Sequence, residues 1–149
     1  MPYLFLTMHL TPLSLSGYLT ALSTTIDASS SLTNFERIYG SVEVSGTMFH
    51  RSGRMEGTDV QLLNITETGS LIMDTNTDKA IYLDTNNFGT ISWEGGNFEF
   101  GGLLTNKGTI QFSSGLEMYG FGDSFLHNTN LGTIECGAAS GTTSTVSSN

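Results

Sequence analysis

Asn87-Phe88-Gly89-Thr90-Ile91, Asn106-Lys107-Gly108-Thr109-Ile110 and Asn130-Leu131-Gly132-Thr133-Ile134 are three copies of one cassette: a polar turn reaches a glycine, and an apolar strand follows. Glu67-Thr68-Gly69-Ser70-Leu71-Ile72 is a fourth copy, and Val44-Ser45-Gly46-Thr47-Met48 a fainter fifth. The steps from Gly46 to Gly69, Gly89, Gly108 and Gly132 are 23, 20, 19 and 24 residues. Recurrence near this length marks a solenoid, in which no coil buries its apolar face without a neighbour.

In a parallel β-helix, equivalent residues of successive coils stack about 4.8 Å apart. Leu71, Ile91, Ile110 and Ile134 are therefore predicted to form one inward column, and Met73, Trp93, Phe112 and Cys136 a second. Between cassettes, residues 41–44, 59–62, 80–83, 97–100 and 116–119 alternate polar and apolar, which predicts further short strands in each coil. A sandwich or barrel also has short strands but needs no repeated cassette. The expected fold is all-β, a parallel β-helix with coils of about 19–24 residues.

The Asn-x-Gly element has a structural rationale. Amides of Asn87, Asn106 and Asn130 can hydrogen-bond up and down a stack, with Glu67 standing in their place in the earlier copy. Gly69, Gly89, Gly108 and Gly132 are expected to supply φ > 0 at the corner. These residues are structural repeat positions rather than a ligand site.

Five Lys and Arg against 14 Asp and Glu give a net charge of −9, which excludes a basic surface for nucleic acid. The surface is carried by Ser, Thr, Asn and Gly, a composition suited to an extracellular chain. Residues 1–23 are apolar but interrupted by polar residues and proline, too broken to predict a membrane span. They read as a degraded signal peptide, with Ala21-Leu22-Ser23 as a cleavage site, or as a cap on the first coil. Residues 24–136 hold the β-helix repeats, and 137–149 form a Ser/Thr-rich tail expected to be disordered.

No catalytic, cofactor-binding or metal-binding constellation is expected. His9, His50 and His127 stand apart from other ligands, and the single Cys136 reads as a small inward side chain. Asp74, Asp78 and Asp84, with Lys79 among them, sit in or near a Thr/Asn-rich loop that reads as solvated, and 120–125 read as a turn. Asn64-Ile65-Thr66, placed after a strand at 60–63, is an N-glycosylation acceptor pattern.

The repeats at 104–112 and 126–134 resemble those of fungal cell-wall adhesins, in particular the N-terminal β-helix domain of the hyphally regulated cell-wall protein family. The resemblance spans roughly residues 40–136 and implies a right-handed β-helix displayed at a cell surface, outside the cell or in its wall. It implies a non-enzymatic adhesin-like role toward wall polysaccharide or surface glycoprotein. The chain is short for such a domain and reads as a truncated paralogue. An uncapped solenoid end adds an expectation of self-association. The alternative is a carbohydrate-active β-helix enzyme of the lyase or hydrolase type, which requires two carboxylates converging on one face, a reading that fails if Asp74, Asp84 and Glu94 lie on different faces.

Overall fold

The computed structural model describes residues 5–8, 12–113, 115–137 and 145–148. The chain opens with β1 (Phe5–Met8), β2 (Leu13–Leu15), β3 (Tyr18–Ile26), β4 (Ser31–Asn34), β5 (Arg37–Val44) and β6 (Thr47–His50). Next come β7 (Gly53–Glu56), β8 (Leu62–Ile65), β9 (Ser70–Met73), β10 (Lys79–Ile81), β11 (Asp84–Asn87) and β12 (Thr90–Trp93). Then follow β13 (Phe98–Asn106), β14 (Thr109–Ser113), β15 (Glu117–Asn128), β16 (Thr133–Gly137) and β17 (Thr145–Ser148).

These strands pair in parallel in two sheets that the chain visits alternately, giving a β-solenoid of about six turns. The seven-stranded sheet stacks β2, β4, β6, β9, β12, β14 and β16, one strand per coil. The ten-stranded sheet holds the strands between them. Leu71 pairs with Ile91, Ile91 with Ile110 and Ile110 with Ile134, as the cassette predicts. Met73, Trp93, Phe112 and Cys136 align in the same registers. Trp93 is the centre of this second column: it meets Phe98 edge-on at 5.8 Å and donates its indole N–H to Gly96 O at 2.8 Å.

Stacking extends upstream of the recognisable cassettes. Leu13 pairs with Leu32, and Leu32 with Met48 only 16 residues later, a coil shorter than the expected range. Solenoid pairing thus includes β2 and β3, within and just beyond the apolar segment 1–23, and β1 pairs with β3. In the tail, Thr145–Ser148 pairs in parallel with β15, while 138–144 and 149 lie outside the described residues. Cys136 keeps its predicted column but is exposed, because β16 is the last strand of its sheet and nothing described stacks on it.

The reason for the cassette glycine differs from the expected one. Gly69, Gly89, Gly108 and Gly132 are absent from the positive-φ positions of the backbone. What demands glycine is close approach: a Cβ on Gly89 would stand 2.2 Å from Gly69 O, and one on Gly108 2.1 Å from Gly89 O. That carbonyl accepts the N–H of the residue following the next glycine: Thr90 N–H donates to Gly69 O at 3.0 Å and Thr109 N–H to Gly89 O at 2.8 Å. The glycine column lets one coil settle onto the carbonyls of the coil before it.

The amide ladder exists with one member changed. Asn87 Nδ2 donates to Asn106 Oδ1 at 2.7 Å, and Asn106 Nδ2 to Asn128 Oδ1 at 2.6 Å. Asn128, not Asn130, is the third rung, because the last turn is two residues longer and Asn130 is displaced to an exposed position. Upstream, the register partner of Asn87 is Ile65 rather than Glu67, which is exposed. The column therefore runs Ile26, Val44, Ile65 and then Asn87, Asn106, Asn128. Where it changes character, the buried Asn87 Oδ1 faces no hydrogen-bond donor among the described residues.

Asn106 is fully buried and also donates to Thr133 O at 3.0 Å. Asn106→Ala removes the central rung and leaves polar partners unanswered, so it is expected to destabilise the fold by about 2 kcal/mol. A urea titration read by circular dichroism measures this as a lowered midpoint, and an unchanged midpoint would refute the ladder's role.

Candidate functional site

Outward-facing residues of the ten-stranded sheet form two rows along the solenoid. The first runs Tyr18, Arg37, Arg54, Ala80, Glu99, Tyr119, and the second Thr20, Tyr39, Glu56, Tyr82, Gly101, Phe121. Their alternation with buried Ile38, Met55, Ile81 and Phe100 fixes which face they occupy.

A groove follows these rows where small residues form its floor. One depression of about 650 Å³ lies over Gly101 and Gly102, walled by Tyr82, Phe121, Asp84, Arg54 and the loop 57–61. A second of about 380 Å³ lies over Gly53 and Ala80, walled by Arg54, Tyr82, Glu99, Tyr119, Asp78 and Asn97. Tyr82 and Arg54 border both. A Cβ on Gly101 would reach within 2.8 Å of the Tyr82 ring, so glycine there lets that ring lean across the sheet. It meets Phe121 edge-on at 6.0 Å between centroids.

The polar groups of the groove are held by the protein. Tyr82 OH donates to Glu99 Oε1 at 2.9 Å. Burial, with the Glu99 carboxylate as a second cause, pushes the Tyr82 phenol above its usual pKa, so it remains a donor. Leu103 N–H donates to Asp84 Oδ1 at 2.8 Å and Thr58 N–H to Gln61 Oε1 at 2.8 Å. At the upstream end Arg37 pairs with Glu56 at 3.2 Å and lies over the Tyr18 ring at 5.4 Å.

The wall at 57–61 corrects a strand assignment. Residues 59–62 alternate like a strand, but β8 begins at Leu62 and Val60 stands 85% exposed in the loop. Residues 120–125 likewise do not form a free turn. They belong to β15, where the register jumps from Gly101–Phe121 to Leu103–Phe125 and presents both phenylalanines outward. Both irregularities thrust side chains toward the groove, and the cassette register gives no sign of either.

The carboxylates singled out in the sequence are held separately. Asp74 makes a two-point ion pair with Arg51 at 2.9 and 3.0 Å, and that hydrogen-bonded guanidinium holds its carboxyl below the usual range. Asp78 Oδ1 accepts Asn97 N–H at 3.1 Å, and Glu94 accepts Ser92 Oγ–H at 3.0 Å. Lys79, expected in a solvated loop, is buried, with Nζ donating to Thr75 O, Thr77 O and Gly95 O. It clips the loop together, and burial pushes its pKa down. His127 is exposed, His9 lies outside the described residues, and no cluster of three metal-ligating side chains occurs among the described residues.

His50 is fully buried in the second column. Asn34 Oδ1 accepts Glu36 N–H at 3.2 Å, which turns the Asn34 amide nitrogen toward His50 Nδ1 at 3.1 Å. His50 Nε2 then donates to Ala80 O at 3.3 Å. Only the neutral ring protonated at Nε2 satisfies both contacts.

Asn64 lies within β8, half-buried, between Glu43 and Asn86 on the outward face. The seven-stranded sheet presents a different surface, with Ser31, Thr47, Ser70, Thr90, Thr109 and Thr133 stacked in one outward hydroxyl row. No helix is long and apolar enough to cross a membrane among the described residues.

The molecule is thus a parallel β-solenoid with an open, side-chain-lined groove on one face and a hydroxyl row on the other. Family models, characterised proteins and solved structures yield no match to the chain.

Proposed function

We propose that this chain is a non-enzymatic, adhesin-like β-solenoid of a cell surface or cell wall, binding wall polysaccharide or a surface glycoprotein. The open groove beside Tyr82 carries this reading, since it offers aromatic, charged and amide groups in fixed positions on a stiff support. The hydroxyl row adds a second polar contact surface. Asp74 and Glu94 are used in separate structural bonds, so a carbohydrate-active enzyme would have to draw on the groove carboxylates Asp59 and Asp84. Among the described residues no strand pairs the outer edge of β16, and Ile134 and Leu131 are exposed there, which supports self-association through that end.

Beads coated with the purified chain are expected to adhere to wall-polysaccharide particles and to release no new reducing ends from them. Beads that do not adhere refute the adhesin reading. Polysaccharide cleavage abolished by Asp84→Asn would establish the enzyme instead. Expressed through a glycosylating secretory host, the chain is expected to gain mass that N-glycosidase removes and that Asn64→Gln abolishes.

A further inference from the structure

We propose that the groove flanking Tyr82 binds a glycan chain of non-acidic pyranoses, amino sugars most tightly, and rejects uronate chains. This deepens the adhesin-like reading and rests on it. Four observations converge on that ligand class.

First, the groove lies in mid-sheet: β10 is paired on both sides, by β7 and β13. Its backbone groups are already engaged. A bound peptide would bring its own N–H and C=O groups with no sheet edge to pair them, whereas a saccharide needs only side chains. Second, the planar polar groups are each tethered through one atom. Glu99 is held through Oε1, Asp84 through Oδ1 and Gln61 through Oε1. That leaves Oε2, Oδ2 and Nε2 in fixed orientations to meet hydroxyl or amino groups on adjacent ring carbons, at little ordering cost.

Third, Tyr82 and Phe121 cross at 65° over Gly101, and Phe121 is 65% exposed. Together they provide an apolar platform for the C–H face of a sugar ring. Fourth, the lining is acidic. Asp59, Asp78, Asp84 and Glu99 face Arg54, while the Lys79 ammonium is committed to backbone carbonyls. Such a field attracts a protonated amino group and repels a uronate carboxylate.

The test titrates the full chain by calorimetry with a glucosamine hexamer, a neutral glucose hexamer and an oligogalacturonate. The glucosamine hexamer is expected to bind most tightly, the glucose hexamer more weakly, and the uronate not at all. Tyr82→Ala weakens binding about tenfold. Phe121→Ser, at a position exposed enough to leave the fold intact, weakens it in the same direction. Glu99→Gln keeps an acceptor for Tyr82 OH but narrows the preference for the amino sugar.

The proposal is overturned if no hexamer titrates, if the uronate binds best, if Phe121→Ser binds like the wild type, or if oligolysine displaces the glucosamine hexamer at lower concentration. Beads that adhere to wall particles although no hexamer titrates into the groove would sink this proposal and leave the adhesin reading standing. Beads that do not adhere sink that reading itself.

Discussion

Gly89→Ala is expected to cost on the order of 4 kcal/mol, a large share of the stability of a domain this size. The added methyl group has nowhere to go. Its Cβ would lie 2.2 Å from Gly69 O and 2.3 Å from Thr66 O, both backbone atoms of the preceding coil. Moving them means breaking the Thr90 N–H to Gly69 O bond that joins the coils. Because φ at Gly89 is not positive, the loss measures crowding alone. Gly115→Ala is the control: Gly115 has φ +78° with nothing within 4 Å of the added Cβ. It carries only the backbone penalty, expected near 1 kcal/mol. Chemical denaturation of the two variants orders them, and equal losses would refute close approach as the reason for the cassette glycine.

Acidification is expected to remove about 3 kcal/mol of stability through one buried ring, His50. Burial pushes its pKa from 6.5 down to about 4, with the Lys79 charge adding to the effect and the Ala80 carbonyl opposing it. The unfolded chain takes up this proton near pH 6.5, whereas the folded chain resists until about pH 4. The contribution is therefore complete above the unfolded value and drains away as pH falls through that interval. Structurally, the incoming proton must sit on Nδ1, where the Asn34 amide already donates. His50→Met fits the neighbouring Met48 and Met73 and should flatten the melting temperature between pH 6.5 and 4. A wild-type profile already flat across that window would remove His50 as the sensor. Acid sensitivity persisting below pH 4 belongs to groups such as Asp74, whose carboxyl is held low by Arg51.

The parts of the fold legible in the sequence are those the cassette touches. Gly-Thr-Ile carries its own register, so the column Leu71, Ile91, Ile110, Ile134 follows from alignment alone. Legibility fails where coil length changes outside the cassette. Two extra residues before Gly132 make Asn130 mimic the ladder motif while Asn128 occupies the rung. The loop at 57–61 and the bulge in β15 shift the register of the ten-stranded sheet, and the groove arises at those shifts. Tyr82, Glu99 and Phe121 each look like an ordinary outward strand residue. Their convergence depends on which coils lie beside one another. Burial of Lys79 was hidden for a related reason, since its partners are backbone carbonyls that any sequence supplies.

The column that passes from Ile26, Val44 and Ile65 to Asn87, Asn106 and Asn128 gives the two ends of the solenoid different responses to temperature. Apolar contacts weaken on cooling, because their hydration carries a large heat-capacity change. The amide rungs carry a smaller heat-capacity change of opposite sign. Near freezing, the coils before Asn87 should lose hold relative to those after it. On warming, the order should reverse, with the later coils loosening first. Amide exchange followed at several temperatures would then show the most protected coil moving along the axis, so that temperature selects the end from which the stack opens.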